Sequence, residues 1–509
     1  MESRPPSLPP APASGAAADG AELDASAPSS GGSPGRSEVR RVLRRAADLA
    51  ADYLERGERY PVKPRVAPGE VAARLAASPP ERGEDWDAIF ADYCELIEPN
   101  VTHWNQPGFL AYFAISGSLP GVAAETLTAA LNVNAMLWRT APAATELEER
   151  VCDWLRQMLE LPPAFRGHIN DTASISTLLA LAAARHRAAP AARSEGLSGL
   201  APMTVYCSDQ AHSSVDKTML TLGLGVERLR RLPSDREYRL RPEALAAAID
   251  RDRAAGLVPT AVVATAGTTS TTSIDPLRAV AEVCRARGVW LHVDAAYAGS
   301  AAIRPEVRRL LDGLEEADSI VVNPHKWLFV PIDCSVLLTR GLDPLREAFS
   351  LVPEYLRTGE GEGTNLMDLG VQLGRRFRAL KLWMVIRHYG VQGLRARIGR
   401  HCALAAELAG WVEAEPGFEV CAPVPLSVVC LRAVPGEARP AEEVDRFNLA
   451  LLERVNEGGR VFLSHTRLRE GTVLRVAIGN LETEREHVRA AFEQLRDGAR
   501  ALCAEWGWS

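Results

Sequence analysis

Two residues 32 positions apart, Asp294 and Lys326, stand where this chain could do chemistry. Lys326 interrupts the apolar stretch SIVVNPHKWLFV, a setting that disfavours an ammonium charge. A lysine can snorkel its charge out to water from such a place. The alternative is a lysine meant to lose its proton, because a neutral amine attacks carbonyls. Asp294 ends the apolar run VWLHVD, and ligands of open α/β sheets gather beyond the carboxyl ends of strands. Alone, such an aspartate can simply cap a turn. Together, a carboxylate and an amine at the ends of two nearby strands could grip opposite sides of one ligand.

Two further stretches suggest what that ligand is. In GHINDTASISTLLALAAARH, the residues Thr172, Ala173, Ser174 and Ser176 come directly before an apolar helix. They mark a plain helix cap or an anion site, since a helix N-terminus offers free N–H groups and a favourable dipole. In YCSDQAHSSVDK, His212 follows a strand and is either a solvated loop residue or a ring able to stack on a flat cofactor. Pyridoxal 5'-phosphate needs such a set. A lysine amine condenses with its aldehyde, a carboxylate keeps its pyridine nitrogen protonated, and the ring becomes an electron sink for Cα.

The elements that must position these residues alternate in the middle of the chain. MTVYCS, TAVVATAG, VWLHVD and SIVVN read as short buried strands, with HSSVDKTMLTLG and PLRAVAEVCRARG as helices between them. That order predicts an α/β domain with a mostly parallel sheet. TELEERVCDWLRQMLEL carries a capping-box pattern, Thr145 and Glu148, that predicts a helix start there. Upstream, Val39, Val42, Leu43, Ala46, Leu49, Ala50 and Tyr53 recur at helical spacing beside a basic face. Downstream, SVVCLRA and TVLRVAIGN read as strands and TEREHVRAAFEQLRDGARALCAE as a closing helix. The expected organisation is a disordered tail over 1–36, an N-terminal helical segment over 37–118, a large domain over 119–380 and a small α+β domain over 381–509.

Composition narrows the class. The 509 residues are 47% hydrophobic and 24% charged, an ordinary globular balance. A net charge of -7 gives no footprint for nucleic acid or an anionic membrane. No apolar run approaches the ~20 residues of a membrane span, and the N-terminus lacks the order of a signal peptide. Nine dispersed cysteines without metal spacing predict reduced thiols, no metal and a cytoplasmic location.

The stretches VTHWNQPGFLAYF, CSDQAHSSV, VATAGTT, WLHVDAAYAGSA, DSIVVNPHKW, LGRRFRALKLW and HVRAAFEQL together resemble the pyridoxal-phosphate-dependent group II decarboxylases, most closely those acting on aromatic L-amino acids. The resemblance implies the fold type I, PLP-dependent transferase-like architecture and a homodimer with shared active sites. It implies that Lys326 holds the cofactor, that Asp294 pairs with the pyridinium, and that His212 and Ala296 pack on opposite ring faces. Ala173, Ser174 and Asn323 match phosphate-binding positions, His325 precedes the lysine as in the family, and Thr268 lies near the ring. Leu373 and Gly374 match residues that reach the partner's phosphate, and the N-terminal segment matches a dimerisation element.

The same resemblance bears on the reaction. Tyr355, in the Gly- and Glu-rich stretch LVPEYLRTGEGEGTNLMDLG, matches a loop tyrosine that protonates Cα after CO2 leaves; in aldehyde-forming relatives phenylalanine stands there. An amine product is therefore expected, with an aldehyde synthase as the rival. Trp104, Phe113, Ile115, Asn134 and Met136 match the substrate pocket. Ile115 replaces a threonine near the catechol of the animal enzymes, which favours tryptophan or phenylalanine over dopa. Arg139 is the residue that could instead pair with an acidic, non-aromatic substrate. Asp171 stands where a glycine is usual and brings a carboxylate to the phosphate turn.

Overall fold

The computed structural model describes residues 35–351, 363–434, 436 and 439–508. It divides into two compact units, the described part of Met1–Ala51 with Arg65–Asn100, and Asp52–Pro64 with the described part of Val101–Ser509. The expected tail falls almost wholly outside the described residues, as does Tyr355. The helix expected from Ser37 runs Arg36–Arg56.

The larger unit is built on a seven-stranded sheet. Its strands are β1 (Phe165–Asn170), β2 (Met203–Ser208), β3 (Leu229–Leu232), β4 (Val258–Thr265), β5 (Trp290–Asp294), β6 (Ser319–Val322) and β7 (Ser335–Arg340). They lie in the order β1-β7-β6-β5-β4-β2-β3. β3, β2, β4, β5 and β6 pair in parallel, whereas β7 is antiparallel to both β6 and β1. β7 is thus the one reversed strand, and β1 points the same way as the parallel set. β5 and β6 are buried along their whole length, which is why they read as continuous apolar runs. β3 sits at the edge, and its sequence LRRL carries two arginines, so no apolar pattern marks it.

A second sheet is antiparallel, of β8 (Phe418–Val420), β9 (Val428–Ala433), β10 (Ser464–Leu468) and β11 (Gly471–Ala477), in the order β10-β11-β9-β8. It packs with the helices Ala441–Glu457 and Arg485–Trp506 around its own core, including Phe447, Leu451, Val476 and Phe492. The helix Ala379–Ala414 spans the boundary expected at residue 380 and breaks its regular geometry at Gly390, where φ is 61°.

One sequence expectation is corrected. Thr145 and Glu148 do not cap a helix start, because the helix runs Pro142–Met158 and both lie within it. Pro142 occupies the first turn, where its missing N–H costs nothing. The Thr145 hydroxyl donates back to the Ala141 carbonyl at 3.1 Å, and Glu148 is 2% exposed in an ion pair with Arg375.

Candidate active site

Because β1, β2, β4, β5 and β6 point one way, their carboxyl ends share one edge of the sheet. β5 ends on Asp294, β6 leads through Asn323 to Lys326, and β4 leads to Thr268. β2 leads to His212, and β1 leads to the turn before Ala173. The topology alone therefore gathers the residues that the sequence scattered over more than 150 positions, from Ala173 to Lys326.

Lys326 sits in the single turn Pro324–Trp327. Its Nζ lies 5.1 Å from the centre of the Phe113 ring. Loss of hydration pushes the amine below the usual lysine range, Asp294 opposes that fall, and Arg475 adds to it. Asp294 is 7% exposed, and its Oδ1 accepts from the Ala296 N–H at 3.1 Å. Burial likewise lowers His212, with Asp294 raising it and Lys326 lowering it, so the three groups share one electrostatic environment. The His212 Nδ1 accepts from the Ser214 N–H at 3.1 Å, which leaves the ring proton on Nε2.

The helix that follows β1 starts without a side-chain cap. Thr172 precedes the helix Ala173–Ala188 in an extended conformation, and its side chain does not cap the helix. The hydroxyl instead donates to Asp171 Oδ1 at 3.0 Å, and Gln372 Nε2 donates to Asp171 Oδ2 at 3.1 Å. The carboxylate expected to intrude on the turn is thus engaged with its own neighbours. Asn323 donates its N–H to the Ala296 carbonyl, while its Oδ1 is buried without a partner among the described residues. His325 accepts from the Cys334 N–H through Nδ1, and burial, with Lys326 adding to it, depresses its pKa to about 3. Thr268 is fully buried and shares its hydroxyl with Thr271 at 2.9 Å. An open helix N-terminus, an orphaned amide oxygen, a buried carboxylate and a depressed lysine match the phosphate, ring and aldehyde of pyridoxal phosphate.

The residues expected on the substrate side divide. Phe113 stacks on Tyr297 at 3.7 Å, which stacks on Trp327 at 4.2 Å, so a three-ring column stands beside Lys326. Trp104 packs on Phe109 at 4.1 Å, and Ile115 is partly exposed. Asn134 and Met136 belong to another segment, joined by a 3.1 Å contact from Asn134 Nδ2 to Met136 Sδ. Arg139 is exposed, as are Leu373 and Gly374. Arg475 on β11 was not foreseen. It is 4% exposed, and its Cζ lies 4.8 Å from the Phe113 ring centre. Its lone position in TVLRVAIGN, an otherwise apolar strand, was the available signal.

Among the described residues no helix is long and apolar enough to cross a membrane, and all nine cysteines are free. Residues 68–434 match the model of the pyridoxal-dependent decarboxylase conserved domain. The chain is 44% identical over 474 residues to the aromatic-L-amino-acid decarboxylase of Sus scrofa, covering 90% of this chain and 95% of that one. It is 41% identical to the phenylacetaldehyde synthase of Arabidopsis thaliana, over 89% of this chain and 94% of that one. A crystal structure of Oryza sativa TDC with PLP and tryptamine superposes with a TM-score of 0.89 at 39% identity, covering 92% and 99% of the two chains. With the converging strand ends already in place, these matches show that the chain belongs to the pyridoxal-dependent decarboxylase family.

Proposed function

We propose that this protein removes CO2 from an aromatic L-amino acid and releases the amine, with Lys326, Asp294 and His212 at the reacting centre. The observation that carries this reading is the depressed Lys326 amine facing the Phe113 ring, beside Asp294 and His212, in a chain of this family. Pyridoxal phosphate, when bound, supplies an electron-withdrawing ring that accepts the electron pair left at Cα.

The rest is work for the chain's own groups. Burial loosens the Lys326 amine's hold on its proton, which favours its attachment, and Asp294 stabilises a positive ring nitrogen. Ala173, Ser174 and Asn323 hold the phosphate, His325 and Thr268 support the ring's surroundings, and Ala296 backs one face. His212 covers the other face and offers its Nε2–H to the substrate. Phe113, Trp104 and Ile115 form an apolar wall suited to a flat side chain, with Asn134 and Met136 as a second wall. Tyr355 returns a proton to Cα. Residues 37–118 are read as a dimerisation segment, and Leu373 and Gly374 as contributors to the partner's phosphate site. Nine free thiols suit a reducing compartment such as the cytoplasm.

The test is to incubate the cofactor-loaded protein with the standard amino acids plus dopa and 5-hydroxytryptophan, and to follow losses and products by mass spectrometry. An accumulating aromatic amine is the expected result. An aldehyde with peroxide and ammonia would move the protein to the synthase side. An amine from an acidic or aliphatic substrate would overturn the pocket assignment.

A further inference from the structure

Arg375 is 5% exposed although its neighbours Val371, Leu373 and Gly374 lie at the surface. Its Nη2 donates to the Ile169 carbonyl at 2.6 Å and to Glu148 Oε1 at 2.9 Å. Glu148 Oε1 accepts in turn from the Ile169 N–H at 2.9 Å. The ion pair therefore holds both backbone groups of one residue, and that residue is the last but one of β1, just before the phosphate turn. Three positions earlier, Gln372 holds Asp171 inside the same turn at 3.1 Å. The main chain of Arg375 faces elsewhere. Its N–H donates to Asn134 Oδ1 at 2.9 Å, and its carbonyl accepts from the Ala135 N–H at 2.9 Å.

Stability does not explain this arrangement. A buried Arg–Glu pair gains little over apolar residues of similar size, because both ions lose their hydration. Here Arg375 Nη1 is buried with no partner among the described residues, which adds a further cost. What the pair does supply is direction, since it leaves Ile169 no freedom to rotate or slide.

We propose that residues 372–375 form a positioning strap, with Arg375 and Gln372 fixing the phosphate turn in register with the Asn134–Met136 wall. Neither residue touches the reacting atoms. The strap fixes the turn that leads into Ala173 and Ser174, so its loss displaces the phosphate anchor and with it the cofactor. This inference rests on the cofactor reading above.

The experiment uses two variants and the wild-type protein, each with pyridoxal phosphate and the aromatic substrate that the wild type prefers. Glu148→Gln with Arg375→Met removes both charges together and so avoids an unpaired buried ion. Gln372→Ala removes the partly exposed contact to Asp171. For the double variant we expect a lowered unfolding midpoint, because the Ile169 carbonyl loses its donor, and, well below that midpoint, about tenfold weaker cofactor binding by visible absorbance and a kcat lowered about 10–100-fold, the scale of an ångström misplacement. Gln372→Ala should weaken cofactor binding to a smaller extent at an unchanged midpoint. Wild-type cofactor affinity and kcat in both variants would overturn the strap. So would losses in the double variant that merely track its unfolding, with Gln372→Ala unaffected. A wild-type protein that neither binds the cofactor nor decarboxylates would instead defeat the functional reading itself.

Discussion

The Arg475 guanidinium lies 4.8 Å from the centre of the Phe113 ring, the same ring that the Lys326 amine faces at 5.1 Å. Arg475 also donates to the carbonyls of Ala111 at 2.7 Å, Thr269 at 3.0 Å and Ser270 at 3.3 Å. It thus ties the small antiparallel sheet to the loop after β4 and to the segment carrying Phe113. Arg475→Met keeps the bulk but leaves these buried carbonyls short of a donor. The expected loss is about 2–5 kcal/mol of stability, since each orphaned buried group costs about 1–3 kcal/mol. Urea unfolding measures it, and an unchanged midpoint would refute the role.

The same charge acts on Lys326 at a distance. Asp294 raises the amine's pKa and Arg475 lowers it, against a depression set mainly by burial. Asp294→Asn should therefore lower the amine further, and Arg475→Met should let it rise. The rate at which apoprotein takes up pyridoxal phosphate across pH reports the neutral amine, so its midpoint should move down in the first variant and up in the second. Shifts of the opposite sign would reject this coupling. In Asp294→Asn the Ala296 N–H keeps an acceptor, so the fold should be retained.

His212 keeps its proton on Nε2 because Nδ1 is occupied by the Ser214 N–H. His212→Phe preserves a flat ring but removes that donor. We expect cofactor binding close to wild type and a kcat lowered about 10²–10⁴-fold, the range for a lost proton-handling group. A large loss of cofactor affinity with intact kcat would make His212 a stacking platform only.

The placement of much of this candidate site was legible in the sequence because its residues end or follow strands that are largely buried. Asp294 ends such a run, Lys326, Thr268 and His212 each come just after one, and parallel order does the rest. Arg475, Arg375 and Glu148 were not legible as a set. Their partners are backbone carbonyls and side chains from distant elements, such as Ile169 206 positions from Arg375, and no local pattern encodes a contact of that span. The Thr145–Glu148 spacing misled for a related reason. It satisfies a capping rule, yet tertiary demand for a buried carboxylate opposite Arg375 decided the role of Glu148. The edge strand β3 was invisible because its arginines break the apolar pattern.

Buried histidines should make the fold acid-labile. Burial depresses His168 and His292 to about 4, and His325 and His401 to about 3, from an ordinary 6.5. Each is neutral in the folded state over a range in which the unfolded chain binds a proton. Their contribution is complete above pH 6.5 and falls as pH drops towards 4, by up to about 1.4 kcal/mol per pH unit for each group. Asp275 works the other way. Burial raises its carboxyl to about 7, so the folded state holds a proton that the unfolded chain has lost above 3.8, and acidification favours folding. Backbone N–H groups of Leu240 and Thr265 oppose that rise by donating to its carboxylate at 2.6 and 2.7 Å. These four rings, with His212 lowered by burial as well, outnumber the one carboxyl and leave the histidines in control. The urea midpoint should stay level from pH 8 to 7 and then fall steadily between 6.5 and 5, a window above the titration of ordinary carboxylates. His401→Asn should flatten the slope, because an amide in its place can still accept from the Trp327 indole N–H, now at 2.9 Å from His401 Nδ1, without titrating. A midpoint independent of pH in that window would show that these rings do not stay neutral.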